Sequence, residues 1–230
     1  MIEKNDFIEL EFTAKIKDRE IFDTNIKSDA EKLNIKDVKP LVLAVGANMV
    51  IDGLDKSLEG KEIGKQYSEE FEPELAFGKR NPSLVKMIPL RLFIEQKIQP
   101  QAGMQFSLDG MLVKVVSVSG GRILVDFNNP LSGKTVIYDY KINRKVDDLN
   151  EKINALQDFL FQRRFDFAVN EPEKAITFKV PENMGQFIQI FEKKFEEILG
   201  MKVKTEALPE DKKEEEKEKE PKEKSATKEN

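Results

Sequence analysis

The chain of 230 residues contains no cysteine, no histidine and no tryptophan. Without cysteine, disulfides, thiolate metal ligands, redox switches and cysteine nucleophiles are all excluded. Without histidine, the chain lacks the commonest general base and the commonest transition-metal ligand, so a Ser-His-Asp hydrolase cannot be built from it. We therefore expect no metal and no cofactor. Any chemistry must work by shape, desolvation and fixed dipoles, or use carboxylates or lysines alone.

Long apolar runs are also missing. No run approaches the length of a membrane span, and the opening residues, MIEKNDFIELEF, lack the charged-then-apolar pattern of a signal peptide. The net charge is −5, and no basic stripe is visible outside the mixed-charge tail, which argues against general nucleic-acid binding. We expect a cytoplasmic protein with neither a membrane nor nucleic acid as its partner.

The aromatic residues are sixteen Phe and three Tyr, so almost all of the aromatic surface lacks a hydrogen-bonding group, which suits dry pockets and apolar grooves. Alternation of apolar and polar residues predicts a half-buried strand over residues 7–16, and the apolar run at 41–45 predicts a buried strand. Val50 and Ile51 then lead into DGLDKSLEG, which predicts a short helix with Leu54 and Leu58 facing inward.

Residues 84–130 have a different character. The segment MIPLRLF, in which a short helical turn follows the proline, is succeeded by three strand-like runs, MQFSL, MLVKVVSV and RILVDF. The runs are separated by hairpin signals at Asp109-Gly110 and at Ser119-Gly120-Gly121. A longer alternating strand follows at 133–146, so the compact unit before it is interpreted as an insertion.

The last third of the chain predicts a separate unit. Helical spacing begins near residue 149, two short strands follow, a second helix covers 184–199 with three Phe on one face, and a final strand lies near 201–205. Residues 209–230 are almost entirely charged and are predicted to be disordered, because they cannot bury enough apolar surface to fold.

Four segments in order give the first half a resemblance to the FKBP family. They are F-x9-FD at residues 12–23, VIDGLDKSLEGKEIG at 50–64, LAFG at 75–78 and the returning strand through Tyr138. VDFNNPLSGK at 125–134 and MIPLRLF at 87–93 are similar to the ends of the insert-in-flap domain of the SlyD branch. The resemblance covers roughly residues 1–146.

The resemblance implies an α+β fold: an FKBP-like antiparallel sheet wrapped on a short helix, an inserted small β-rich domain and a C-terminal α+β domain. We assign residues 1–83 and 131–147 to an isomerase domain and 84–130 to the insert. Residues 148–208 form the C-terminal domain, and 209–230 form the charged tail.

The activity implied by the resemblance is peptidyl-prolyl cis-trans isomerisation in an apolar pocket. Carried over by position, the residues that line it are Phe12, Phe22, Asp23, Leu41, Leu43, Val50, Ile51, Leu54, Phe77 and Tyr138. Asp23 would either hold the pocket geometry through hydrogen bonds or act on the rotating carbonyl, and both roles stay open. Phe12 and Phe77 stand where most members of the family have Tyr, and Leu54 stands where many have Trp.

The insert carries more apolar residues than so small a unit is expected to bury. Flexible Met and Phe side chains suit the binding of varied unfolded or nascent polypeptides, which is also what the insert does in the SlyD branch. The predicted client-binding residues are Met87, Met104, Phe106, Leu108, Met111 and Val113. The Phe-rich helix of the C-terminal domain predicts core packing or a homodimer contact.

Several alternatives stay open. Without the family resemblance, every lining residue is ordinary core and Asp23 is a turn residue or cap. A holdase chaperone with a weak or vestigial isomerase pocket is the second functional hypothesis, with Phe12 and Phe77 as its signs. A third makes the C-terminal domain a docking platform for a partner. Tails of the SlyD branch that bind metal are rich in His and Cys, which this tail lacks.

Overall fold

A computed structural model describes residues 1–36, 38–108 and 111–208. The chain divides into two compact units between Lys152 and Ile153. The structure confirms the predicted α+β class, with antiparallel sheets and few helices. Among the described residues, no helix has both the length and the apolar composition needed to cross a membrane.

The strands and helices follow one another as β1 (Phe7–Ile16), β2 (Ile21–Thr24), α1 (Lys27–Ala30), β3 (Leu41–Ala44), α2 (Asp52–Ser57), β4 (Gln66–Phe71), β5 (Val85–Pro89), α3 (Leu90–Glu95), β6 (Gln105–Leu108), β7 (Met111–Ser119), β8 (Arg122–Asp126), β9 (Val136–Lys145), α4 (Leu149–Leu160), β10 (Asp166–Asn170), β11 (Ala175–Pro181), α5 (Gly185–Gln189), α6 (Glu192–Leu199) and β12 (Lys202–Leu208).

The first unit is built on a five-stranded sheet. Its order is β2-β1-β9-β4, and β3 also pairs with β1. All of these pairs are antiparallel. Alternation along β1 puts Leu10, Phe12 and Ala14 on the inner face. Leu54 of α2 and Leu58, the residue that follows this helix, are buried in the same apolar cluster. The predicted strand at 7–16 and the short helix that follows Ile51 are confirmed.

The insert forms a separate four-stranded antiparallel sheet of order β5-β8-β7-β6. One face is covered by α3, whose Phe93 joins the buried cluster of Val113, Val115, Ile123 and Val125. Gly120 and Gly121 connect β7 to β8 at φ +57° and +74°, a conformation that glycine adopts without steric cost. This hairpin is confirmed, whereas the Asp109-Gly110 turn lies outside the described residues, as does the predicted tail disorder at 209–230.

The C-terminal unit has a three-stranded sheet of order β10-β11-β12, in which β11 and β12 are parallel. The prediction of one continuous helix over 184–199 is wrong, because α5 ends at Gln189 and α6 begins at Glu192. Each of the two helices contributes a ring to the packing around Phe161, whose centroid lies 6.1 Å from that of Phe187 in α5 and 5.9 Å from that of Phe195 in α6.

Candidate active site

The sheet register brings the central residues of the predicted site together. Asp23 of β2 and Tyr138 of β9 both pair with Ala14 of β1, one on each side. Phe12, two residues earlier on β1, has its ring centroid 5.7 Å from that of Tyr138. Directly opposed residues of an antiparallel pair share a face, so β9, which lies far along the chain, meets the neighbouring strands β1 and β2 on one surface.

Two half-buried rings extend this surface. Phe22 lies edge-on to Phe77 at 5.7 Å and edge-on to Tyr138 at 6.3 Å between centroids. Leu41, Val50 and Ile51 are also half-buried and pack against the same apolar cluster. These five residues form a partly exposed rim, which we call the aromatic rim, above the buried rings of Phe12 and Tyr138.

Two residues of the predicted lining are corrected. Leu43 and Leu54 have no exposed surface. Leu43 pairs with Ile8 between β3 and β1, and Leu54 faces the sheet from α2. Both support the rim from beneath and do not line an open surface, because neighbouring side chains cover them completely.

Asp23 occupies an unusual position for a carboxylate. The residue as a whole is exposed, yet partial desolvation raises the pKa of its carboxyl group above the usual value, opposed by a hydrogen bond from the Thr24 backbone. Burial, with the nearby charge of Asp23 as a smaller cause, raises the pKa of the Tyr138 phenol well above its ordinary value. Tyr138 is therefore a neutral hydroxyl at physiological pH.

Sequence reasoning missed two residues beneath the rim. Phe71 is buried, with its ring centroid 6.0 Å from that of Tyr138. Gly53 lies so close to it that a Cβ added at Gly53 would stand 2.5 Å from the Phe71 ring. Gly53 therefore permits close packing of α2 against Phe71, because any larger residue would collide with the ring. The alternation along β4, which puts Tyr67 and Phe71 on one face, was the available signal for Phe71.

A buried carboxylate holds the loop that leads into the rim. Asp55 in α2 is almost fully buried and accepts hydrogen bonds from the backbone N–H groups of Gly46 and Asn48, both at 2.8 Å. These residues precede Val50 and Ile51. Asp55 therefore fixes the approach to the rim, a role that its place in a short helix did not predict.

Some of the predicted client-binding residues lie in the core of the insert and others lie on its surface. Val113 is buried in the insert's own core, and Phe106 and Leu108 pack against that core, so these three are corrected from binding surface to structural positions. Met104 and Met111 are exposed and lie at the margin of the face that α3 covers. Met111 pairs with Leu108, and the Met104 carbonyl accepts a hydrogen bond from the Val115 backbone N–H; Leu108 and Val115 both belong to that face.

Met87 lies elsewhere. It pairs with Leu124 on the face of the insert sheet away from α3 and is 61% exposed. Leu112 and Val116, which the prediction omitted, are also exposed. The three exposed methionines therefore belong to two different surfaces of the insert.

Comparison with known proteins adds to this geometry. The family model described as "FKBP26, IF domain" matches residues 86–131, which cover α3, β6, β7, β8 and all of β5 except Val85. The chain is 27% identical over 146 residues to a short-type peptidyl-prolyl cis-trans isomerase of Methanocaldococcus jannaschii, covering 62% of this chain and 92% of that protein.

Two bacterial proteins are also similar. The FKBP-type peptidyl-prolyl cis-trans isomerase SlyD of Vibrio cholerae is 30% identical over 145 residues, covering 61% of this chain and 67% of that protein. The FKBP-type 16 kDa peptidyl-prolyl cis-trans isomerase of Escherichia coli is 33% identical over 109 residues, covering 45% of this chain and 72% of that protein. This chain belongs to the FKBP-type peptidyl-prolyl cis-trans isomerases.

The predicted family and its SlyD-like branch are thereby confirmed, and with them the expectation that this is an enzyme family. Each of the alignments to these isomerases covers less than two thirds of this chain. Within this FKBP-type protein, Phe12 and Phe77 carry no hydroxyl. Tyr138 is thus the single hydroxyl-bearing ring among Phe12, Phe22, Phe71, Phe77 and Tyr138.

Proposed function

We propose that this protein catalyses cis-trans isomerisation of X-Pro bonds in unfolded or nascent polypeptides, and that the aromatic rim is its active site. The observation that carries the proposal is the cluster's incomplete burial. Phe22 and Phe77 stand half-exposed, edge-on to one another, above the buried Tyr138. An aromatic core left open at one end offers an apolar surface to a proline ring.

Such a surface suits this reaction chemically. Rotation about a peptide bond faces a barrier of about 18–20 kcal/mol, because resonance gives the C–N bond partial double-bond character. At X-Pro the two isomers differ by only about 1 kcal/mol, and no bond needs to break. The twisted amide is less polar than the planar one, so moving it out of water favours the twisted form, while contact with the rings holds the proline.

Tyr138 and Asp23 supply the polar part of the site. The phenol of Tyr138 stays protonated and is the hydroxyl that the cluster retains to donate a hydrogen bond to a carbonyl of the bound chain. The Asp23 carboxylate lies near enough to oppose ionisation of that phenol. It is therefore placed either to orient the hydroxyl or to act on the carbonyl dipole.

Isomerisation of a short proline tetrapeptide tests the rim. We expect a Phe22→Ala, Phe77→Ala variant to lose about tenfold or more in kcat/KM, the effect of roughly 1.4 kcal/mol of lost transition-state contact. Phe159, which is 40% exposed in α4, gives the matched control Phe159→Ala, which should retain full activity. Unchanged activity in the double variant, with its thermal unfolding still cooperative, would show that the rim is not the active site.

We further propose that the insert holds client chains near the rim, giving the protein chaperone activity. The support is the exposed apolar surface of the insert, which includes Met104 and Met111 on one side and Met87 on the other. Tethering a client raises the local concentration of its prolines at the active site. Unbranched Met side chains adapt to many partners.

Proline-limited refolding of a whole protein tests this second step. We expect a Met104→Ser, Met111→Ser variant to keep its activity on the tetrapeptide and to lose about tenfold in refolding catalysis, as tethering is lost. Met87→Ser examines the opposite surface separately. Ile63→Ser, at a 51% exposed site outside the insert, is the control. If neither methionine variant affects refolding, the insert does not grip the client through these side chains.

A holdase with weak isomerase activity is the second candidate, favoured by the absent hydroxyl at Phe77. A neutral hydrogen bond contributes about 1 kcal/mol net, or roughly fivefold in affinity for a ligand carbonyl. Comparison of tetrapeptide activity with suppression of client aggregation separates the two functions. Strong suppression with activity at the uncatalysed rate would favour the holdase.

A further inference from the structure

A cleft of about 650 Å3 lies between the isomerase domain and the open face of the insert sheet. Arg19, in the turn between β1 and β2, and Lys134, just before β9, border it from the isomerase domain. The Lys17 backbone N–H donates to the Thr135 carbonyl at 3.0 Å, which fixes these two segments side by side. Lys114 of β7 and Arg80 complete the cationic lining.

The charge of the cleft is uneven. Four cationic side chains line it and one carboxylate, Asp126, faces them, although the whole chain carries a net charge of −5. Asp126 is already engaged, because it pairs with Arg80 at 2.5 Å and accepts two hydrogen bonds from Asn128. These contacts lower the pKa of Asp126 despite its partial burial.

The remaining cations are available to a ligand. Within the described parts of the chain, no carboxylate lies within 4 Å of the side-chain nitrogens of Arg19, Lys114 or Lys134. On β7, Lys114 lies between Leu112 and Val116, which are 51% and 41% exposed. Along β7, the wall of the cleft therefore presents an apolar side chain, Leu112, then the cationic Lys114, and then the apolar Val116.

We propose that this cleft binds acidic segments of the client polypeptide, so that the protein selects prolines that lie near Asp or Glu residues. An extended chain that runs along β7 would match the wall with alternating apolar and acidic side chains. Among the described residues that line the cleft, no aromatic ring is present on which a nucleobase could stack. The ligand class is thus a peptide, and the inference rests on the proposed function because it names the class of client.

The test uses the full chain and two fluorescein-labelled peptides. Each peptide contains one proline and alternating apolar residues, with Glu at the intervening positions in one peptide and Gln in the other. We expect the Glu peptide to bind about tenfold more tightly at low salt, as three weak ion pairs would give. The preference should shrink as salt rises, because screening acts over about 8 Å at physiological ionic strength.

A matched pair of variants tests whether the preference for the Glu peptide depends on the cations of the cleft or only on the net charge of the protein. Arg19→Gln, Lys114→Gln, Lys134→Gln together should abolish the preference for the Glu peptide. The control removes three cations that do not line the cleft, by Lys27→Gln, Lys36→Gln, Arg91→Gln, and should retain the preference. Equal binding of both peptides by the unmodified protein, or equal loss in both triple variants, would overturn the proposal.

Two further measurements keep this inference distinct from the proposed function. Both triple variants should isomerise an uncharged proline tetrapeptide at the unmodified rate. Loss of that activity in the cleft variant alone would assign the cleft to the isomerase site and overturn the inference. An inactive unmodified protein would refute the isomerase proposal, while the Glu and Gln peptides would still decide the cleft. In a competition experiment, the labelled Glu peptide is displaced either by unlabelled Glu peptide or by a single-stranded oligonucleotide of equal charge. If the oligonucleotide is the stronger competitor, the cleft is a nucleic-acid site and the inference is overturned.

Discussion

At the scale of single residues, the register of the sheet affects the ionisation of Asp23 and Tyr138. Neither is unusual in sequence, since Asp23 is part of a turn-like FDTN segment and Tyr138 of an alternating strand. The register through Ala14 places them together, and the apolar rings around them disfavour ionisation of both groups. The two roles left open for Asp23 make different predictions.

Replacement of Asp23 by Asn should stabilise the protein at neutral pH. Desolvation raises the pKa of this carboxyl group in the folded state, so folding favours its protonated form. Its contribution to stability is present at low pH and is lost as the pH rises through the folded-state pKa. Thermal unfolding should therefore show a higher Tm for Asp23→Asn at pH 7, and the difference should vanish below about pH 4, near the unfolded-state pKa.

The matched control is Asp166→Asn at an exposed position of β10, which should leave the Tm at pH 7 unchanged. Tetrapeptide activity of Asp23→Asn decides the role of Asp23, because an amide preserves hydrogen bonding but not charge. Retained activity indicates a structural role, and lost activity indicates an electrostatic one. The quantity to compare is the Tm of Asp23→Asn minus the Tm of the unmodified protein. If this difference is smaller at pH 7 than at pH 4, the desolvation argument is contradicted.

At the scale of elements, the two segments that join the insert to the isomerase domain form a hydrogen-bonded neck. Asn128 is buried, and its amide accepts from the Asn81 backbone N–H at 2.8 Å and donates to the Asn81 carbonyl at 3.0 Å. The Gly133 N–H donates to the Gly78 carbonyl at 2.8 Å. Two connecting segments that are hydrogen-bonded to each other restrict the movement of the insert more than either segment would alone.

Asn128→Ala should loosen this neck. Two hydrogen bonds to Asn81 are lost at about 1 kcal/mol each, so the local opening free energy falls by about 2 kcal/mol. Hydrogen–deuterium exchange at the amide of Asn81 should accelerate by one order of magnitude or more. Activity on a tetrapeptide should persist while proline-limited refolding declines, because the insert no longer holds the client in place.

Asn143→Ala is the control for the neck, since the Asn143 side chain makes one long contact, to Glu9 at 3.3 Å, outside this region. It should leave exchange at Asn81 unchanged. Refolding catalysis that is unaffected in Asn128→Ala, despite faster exchange, would show that the insert works as a freely tethered arm.

At the scale of the whole molecule, the C-terminal unit leaves apolar surface uncovered. Phe187 and Ile190 are 39% and 73% exposed, although Phe161, Phe178 and Phe195 pack together nearby in the same unit. We propose that this surface forms a homodimer contact, giving one assembly two isomerase sites. Docking of a different partner on the same surface is the competing hypothesis.

Light scattering of the full chain during size-exclusion chromatography tests the dimer. We expect twice the 26.4 kDa chain mass for the unmodified protein and the single chain mass for Ile190→Glu, because a buried unpaired carboxylate is strongly unfavourable. Ile63→Glu, at a 51% exposed apolar site in the first unit, should remain dimeric. A single chain mass for the unmodified protein would leave the surface to another partner.

The fold class could be predicted from the sequence, and all five residues of the aromatic rim belong to the lining that the FKBP resemblance implies. Hydrophobic alternation sets strand faces locally, which is why β1 and the helix after Ile51 agree with their predictions. Composition was also informative, since a sequence without His and Cys cannot supply an imidazole base or a thiolate nucleophile.

Which apolar residues are exposed depends on tertiary packing. Leu43, Leu54 and Val113 are indistinguishable in sequence pattern from Leu41 and Met111, because periodicity assigns a face but not what covers it. The helices α5 and α6 are separated at Ile190 and Phe191, although the apolar spacing of the sequence continues across this point. The cationic cleft likewise depends on strand register and the β1–β2 turn, which bring Arg19, Lys114 and Lys134 together from distant parts of the chain.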